Sequence, residues 1–180
     1  MTNKPPPDIS SKRRITLERI YQATIEDVWE LWTTKEGIES WWGPEGFSVT
    51  VRRLDLRPGG ALEYGMTPTA APQIEFIKRA GMPLTTEARL TYTEIIAPER
   101  LGYTHLADFI PGVAPYGIKT LVELQRTAQG VRMILSFDAM HDEQWTQRAL
   151  MGWESEFGKL ARALAARATK LSSLGPMPLS

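Results

Sequence analysis

The chain contains no cysteine. That excludes disulfide frameworks, thiolate metal sites and cysteine nucleophiles together, and it fits a reducing compartment. There is also no charge surplus, since 21 basic and 21 acidic side chains balance to a formal net charge of zero. A nucleic-acid binder neutralises phosphates with a basic excess. The nearest approach to one, Lys12-Arg13-Arg14, reads as a solvated cluster beside a strand. Long apolar runs are missing as well. No window approaches the roughly 18 apolar residues of a membrane span, and the start of the chain carries Pro5-Pro6-Pro7 where a signal peptide would be apolar. The expectation is a cytoplasmic protein that engages neither nucleic acid nor membrane. His105 and His141 are the only histidines. No carboxylate pair stands near them at ligand spacing, so no metal or other cofactor is expected. G-x-S-x-G, Walker and dinucleotide fingerprints are absent, and Arg57-Pro58-Gly59-Gly60 is a turn, not a phosphate cradle.

What the chain does have is apolar substance. Such residues make up 42% of 180, enough for one continuous core without covalent staples. Residues 1–11, with their three prolines, are expected to form a disordered leader, and 173–180 a loose tail. One domain then spans 12–172.

Periodicity fills that domain. A first strand covers residues 14–21. Thr24 caps a helix whose apolar stripe is Ile25, Val28, Trp29 and Trp32, and Gly37 punctuates it before a second short helix ending at Trp41-Trp42. Strands follow over 47–56, with a phase slip at Arg52-Arg53 that marks a bulge, and over 61–66. Residues 67–84 admit a short helix around Ile74, Ile77 and Ala80. Further strands cover 86–96, 101–107, 118–127 and 131–139, the last two forming a hairpin around Ala128-Gln129-Gly130. Asp142 caps a last helix running to about Thr169, with Trp145, Ala149, Trp153, Phe157, Leu160, Leu164 and Ala168 on one face. At 1.5 Å per residue that helix is roughly 40 Å long, enough to cross a sheet. Strands grouped together with helices at the ends argue for an α+β fold, an antiparallel sheet of about six strands around the long helix.

Four segments in this order and spacing, ERIYQATIEDVWELWTTKEGIESWWGPEGF, DLRPGG, APERL and GWESEFGKL, resemble the activators of the 90-kilodalton heat-shock-protein ATPase. The resemblance is to the stand-alone bacterial members of the START-like (SRPBCC) superfamily, and it covers about 14–168. It implies a helix-grip fold, a curved sheet closed around the C-terminal helix, with lipids, sterols, hormones or polyketides held between them in other members. The separate chaperone-binding domain of the eukaryotic activators has no room here. Two segments depart from the family pattern, 67–84 by its length and 108–117 by its proline and glycine, and both fall where a pocket entrance is expected.

Strand parity then nominates an interior surface. It comprises Trp42 after the second helix; Leu62, Tyr64 and Met66; Tyr103 and His105; Val122 and Leu124; Met133, Leu135 and Phe137; and Trp153 and Phe157 on the helix. The opposite face of the late hairpin, including Lys119, Arg132 and Asp138, wants water. Each nomination has a plainer reading. Trp41-Trp42 reads more readily as a plug for the end of the core than as a cavity roof. His105 reads more readily as a structural or surface histidine than as an acid–base group. Gly152 costs about 1 kcal/mol in mid-helix, and tight packing on the sheet explains it more simply than space for a guest.

The function expected from this surface is binding of a small apolar or amphipathic ligand, with no residue assigned a catalytic role. A protein-interaction module, such as a chaperone accessory, would instead need an apolar patch at Trp41 or at residues 109–116. A polyketide cyclase or lyase would need His105, Tyr64 or Tyr103 to converge in one chamber. The edges of a half-open sheet admit a homodimer.

Overall fold

The structure, a computed structural model, describes residues 12–173. The expected leader, and the expected tail beyond Ser173, lie outside the described residues. Strand β1 (Arg14–Tyr21) leads into α1 (Ile25–Thr33) and α2 (Lys35–Trp41). The cap reading of Thr24 holds: its hydroxyl oxygen accepts from the Asp27 amide at 3.1 Å and donates to the Asp27 carboxylate at 2.7 Å. Gly37 does not punctuate the helix as expected. Thr34 does that, accepting the Gly37 amide at 3.0 Å as the cap of α2. Gly37 serves close approach instead, because a methyl there would stand 2.4 Å from the Glu30 carbonyl oxygen of α1.

The remaining elements are β2 (Phe47–Leu54), β3 (Ala61–Pro68), α3 (Ala71–Arg79), β4 (Thr86–Ile96), β5 (Arg100–Ala107), β6 (Tyr116–Thr127), β7 (Gly130–Asp138) and α4 (Glu143–Ser173). The sheet has seven strands, all antiparallel, in the order β1-β7-β6-β5-β4-β3-β2. Strands β2 to β7 meander, and β1 closes onto β7, so the first two strands of the chain are the two edges. The helices α1 and α2 make the long crossing between them. The expected bulge is present as a register slip between Val51 and Arg53, and a second slip lies between Tyr92 and Glu94; such slips bend a sheet. Strand β2 stops at Leu54, two residues before the expected end, because Asp55 enters a turn held by Arg57 at 3.0 Å. Leu56 is consequently exposed.

The apolar faces of sheet and helix do look at each other. Met133, Leu135 and Val122 of the sheet, and Leu160 and Phe157 of α4, are all buried in one cluster with Trp32 and Trp41. Burying a side chain of this size is worth about 1.5–3 kcal/mol. Asp138 departs from its expected wet position and is only 7% exposed. It lies under Arg14, which it meets at 3.3 Å, and near the Lys119 amide at 3.4 Å, so the carboxylate is covered but partnered. Helix α3 forms as expected yet buries none of its residues. Helix α4 starts on Asp142, whose carboxylate accepts the Trp145 amide at 2.8 Å. It runs on to Ser173, past the expected end at Thr169, because no helix breaker comes before Gly175-Pro176.

Candidate ligand chamber

The layer between sheet and helix is filled at one end only. Around the C-terminal half of α4, Phe157, Leu160 and Leu164 are buried against the sheet and α1. Around the N-terminal half, Trp145, Ala149 and Trp153 are only partly covered by protein and face a cavity of about 480 Å³. That volume is in the usual range for a small-molecule site.

Seven of the thirteen nominated residues line it: Trp42, Tyr64, Met66, Tyr103, His105, Phe137 and Trp153. The other six, Leu62, Val122, Leu124, Met133, Leu135 and Phe157, point to the same side but are buried in the packed core and do not reach the chamber. Parity assigns a face, and it carries no information on which stretch of that face meets protein and which meets space.

The indole pair divides its work. Trp41 is fully buried, its Nε1 donating to the Leu31 carbonyl at 2.8 Å, and it plugs the core as expected. Trp42 is the chamber's roof at the boundary of the two ends. Its ring lies 5.3 Å from Trp32, 6.1 Å from Tyr64 and 6.0 Å from Trp153, each edge-to-face. Lys159 holds this turn to the helix by donating to the carbonyls of Trp42, Gly43 and Phe47 at 3.3, 2.9 and 3.1 Å. The tight-packing reading of Gly152 is overturned: a methyl built there would meet no atom within 4 Å, and the residue lines the chamber.

The polar groups of the chamber converge from three elements. Tyr64 Oη on β3 is 3.3 Å from His105 Nε2 on β5, so His105 faces inward, not the surface. Tyr103, two residues earlier on β5, is 2% exposed, and its hydroxyl has no hydrogen-bond partner. Thr120, directly across the β5–β6 ladder, pulls the hydroxyl's pKa down against the larger effect of burial but does not complete a hydrogen bond with it. Glu156 on α4 also lines the chamber. Burial pushes its pKa up to about 8, with the Gly43 amide and Lys159 only partly offsetting that. Burial pushes both tyrosine hydroxyls up and pulls His105 down, Asp108 opposing the latter. At neutral pH these shifts leave the inner wall uncharged. The charged lining residues, Glu87 and Arg148, are exposed and stand at the mouth, where the Arg148 guanidinium lies 4.8 Å over the Trp145 ring. Phe109 brings the 108–117 segment to the mouth, whereas residues 67–84 supply none of the lining.

Glu156 escapes a reading based on apolar pattern. Its signal is nonetheless in the chain: it falls four residues after Gly152 and three after Trp153, a carboxylate on the helix arc that is otherwise apolar.

Fold and site together define a helix-grip domain with a chamber between sheet and long helix. The sequence matches the model of the family described as "Activator of Hsp90 ATPase homolog 1-like protein" over residues 22–165, and the chain belongs to that family. Among solved structures, a protein from Chromobacterium violaceum is similar with a TM-score of 0.70 at 23% identity, over 84% of this chain and 96% of that one. The AHSA1-like protein from Aeromonas hydrophila has a TM-score of 0.67 at 21% identity, over 87% and 94%. The AHSA1 protein from Silicibacter pomeroyi has 0.65 at 22%, over 86% and 99%. These likenesses establish the helix-grip fold. No curated protein matches the sequence. Among the described residues no helix is long and apolar enough to cross a membrane.

Proposed function

We propose that this protein binds a small apolar or amphipathic molecule in the chamber, in the cytoplasm, and holds it without transforming it. The observation that carries this reading is the empty volume itself. A folded interior normally closes to near-crystalline density, yet here about 480 Å³ stays open beside a mid-helix glycine with nothing near it. Guest contacts would come from the seven nominated residues on the wall, together with Glu156 and Trp145.

The neutral dye phenyl-naphthylamine, whose emission rises in apolar surroundings, tests this directly. Binding with micromolar affinity is expected, abolished by Gly152→Leu and unchanged by Gly158→Ala. Absence of binding by this dye and by a fatty acid, in dye titration and native mass spectrometry, would overturn the reading.

One observation favours a second reading, an acid–base enzyme acting on a bound carbonyl compound: Tyr64, Tyr103, His105 and Glu156 share one chamber. Such an enzyme would exchange the protons next to the carbonyl of a bound ketone with solvent deuterium. Exchange no faster than that of the Tyr103→Phe variant would end this reading.

A further inference from the structure

Three buried side-chain polar atoms lack a hydrogen-bond partner among the described residues, namely Trp32 Nε1, Arg100 Nε and Tyr103 Oη. Only Tyr103 belongs to the chamber wall. A buried donor without a partner is costly, and folded proteins seldom leave one. Glu156, Tyr64, Tyr92 and Thr120 are the polar side chains around this hydroxyl, and none completes a hydrogen bond with it. Tyr64 Oη is paired with His105 Nε2. A guest in the chamber is placed to supply the missing partner.

The wall also constrains the guest's charge and shape. The two cationic side chains near the chamber are unsuited to an anion inside it. Lys159 is spent on three backbone carbonyls, and Arg148 sits exposed at the mouth. Trp42, Trp153, Trp145, Phe109 and Phe137 present aromatic rings to the same space, which favours a flat guest lying against them.

We propose that the chamber selects an uncharged, ring-containing compound whose carbonyl oxygen accepts a hydrogen bond from Tyr103 Oη. This rests on the ligand-binding reading above and specifies its guest. Glu156, which burial keeps protonated at neutral pH, is a second donor on the opposite wall and gains nothing from an anionic guest.

The test is a displacement series against phenyl-naphthylamine with four near-isosteric probes: methyl naphthyl ketone, isopropenylnaphthalene, naphthoate and naphthylethylamine. The ketone is expected to bind about tenfold or more tighter than the hydrocarbon, the gain of satisfying one buried donor. Tyr103→Phe should erase that gap while leaving hydrocarbon affinity unchanged or higher, and should fold normally, because the hydroxyl it removes bonds to nothing in the protein. Equal binding of ketone and hydrocarbon, or a ketone preference that survives in Tyr103→Phe, overturns the inference while the apolar-ligand reading stands. So does stronger binding of the naphthoate or the amine. Failure of all four probes while the dye still binds also overturns the inference alone. Failure of the dye and fatty acid as well overturns the reading beneath it.

Discussion

The two halves of α4 face the same sheet, carry similar apolar residues and end in different physics. Beyond Phe157 the helix packs side chain to side chain with Trp32 and the sheet core, and Leu160 is wholly buried. Before it, Trp145, Ala149, Gly152 and Trp153 face a chamber that also holds a carboxyl, a histidine and two tyrosines. The boundary is the Trp42 turn, clamped by Lys159. The first half has the character of a protein interior and the second that of a binding site, so stability and ligand affinity should respond to different substitutions.

The largest expected effect is at the packed end. Leu160→Ala should cost about 3 kcal/mol in denaturant unfolding, by lost transfer energy and a new void, with dye affinity within twofold of the original. A large gain in dye affinity would mean that the void joins the chamber and the two ends are one space. At the boundary, Lys159→Met leaves three carbonyls without their charged donor. A loss of about 2 kcal/mol is expected, together with a red-shifted tryptophan emission as the Trp42 turn loosens; unchanged stability would show that water replaces the ammonium.

At the open end the sign changes with pH. Glu156 has a folded-state pKa raised from 4.5 to about 8. The folded state then holds a proton that the unfolded chain releases, so stability falls as pH rises from about 4.5 to about 8. Glu156→Gln keeps the shape and removes the titration. It should flatten that slope and stabilise the protein at pH 8 by about 1–2 kcal/mol, a figure reduced for water entering the chamber. Parallel profiles for the two proteins would place the carboxyl in water. The smallest effect is the sharpest comparison. Gly152→Ala and Gly158→Ala both meet only open space or one flexible arginine, so each should stabilise by about 0.5–1 kcal/mol. Only Gly152→Ala should weaken dye binding, by a fewfold. Equal effects on binding would remove the distinction between the halves.

Much of the fold is legible in the chain because its signals are local. Thr24 and Asp142 cap helices by contacts within three residues, and the alternation of Met133, Leu135 and Phe137 reports a half-buried strand without knowledge of its neighbours. Where the cause is distant, the pattern misleads. Gly37 looks like a helix stop until the Glu30 carbonyl is placed against it. Asp138 looks solvated until Arg14, from the other end of the chain, covers it. Glu156 stands on the apolar arc of its helix, but nothing local says that the arc faces a chamber there.

By itself the sequence determined which side of each strand and helix is oily, the order of the elements, and the family that their order resembles. Those properties depend on residues a few positions apart. Only the tertiary structure decided that the oily sides fail to meet over half their length, and that Tyr64, Tyr103, His105 and Glu156 come together there. A cavity is the difference between the space that the backbones enclose and the volume that the side chains fill. That difference is set by strand register, helix position and the Trp42 turn acting at once, and no single stretch of the chain carries it.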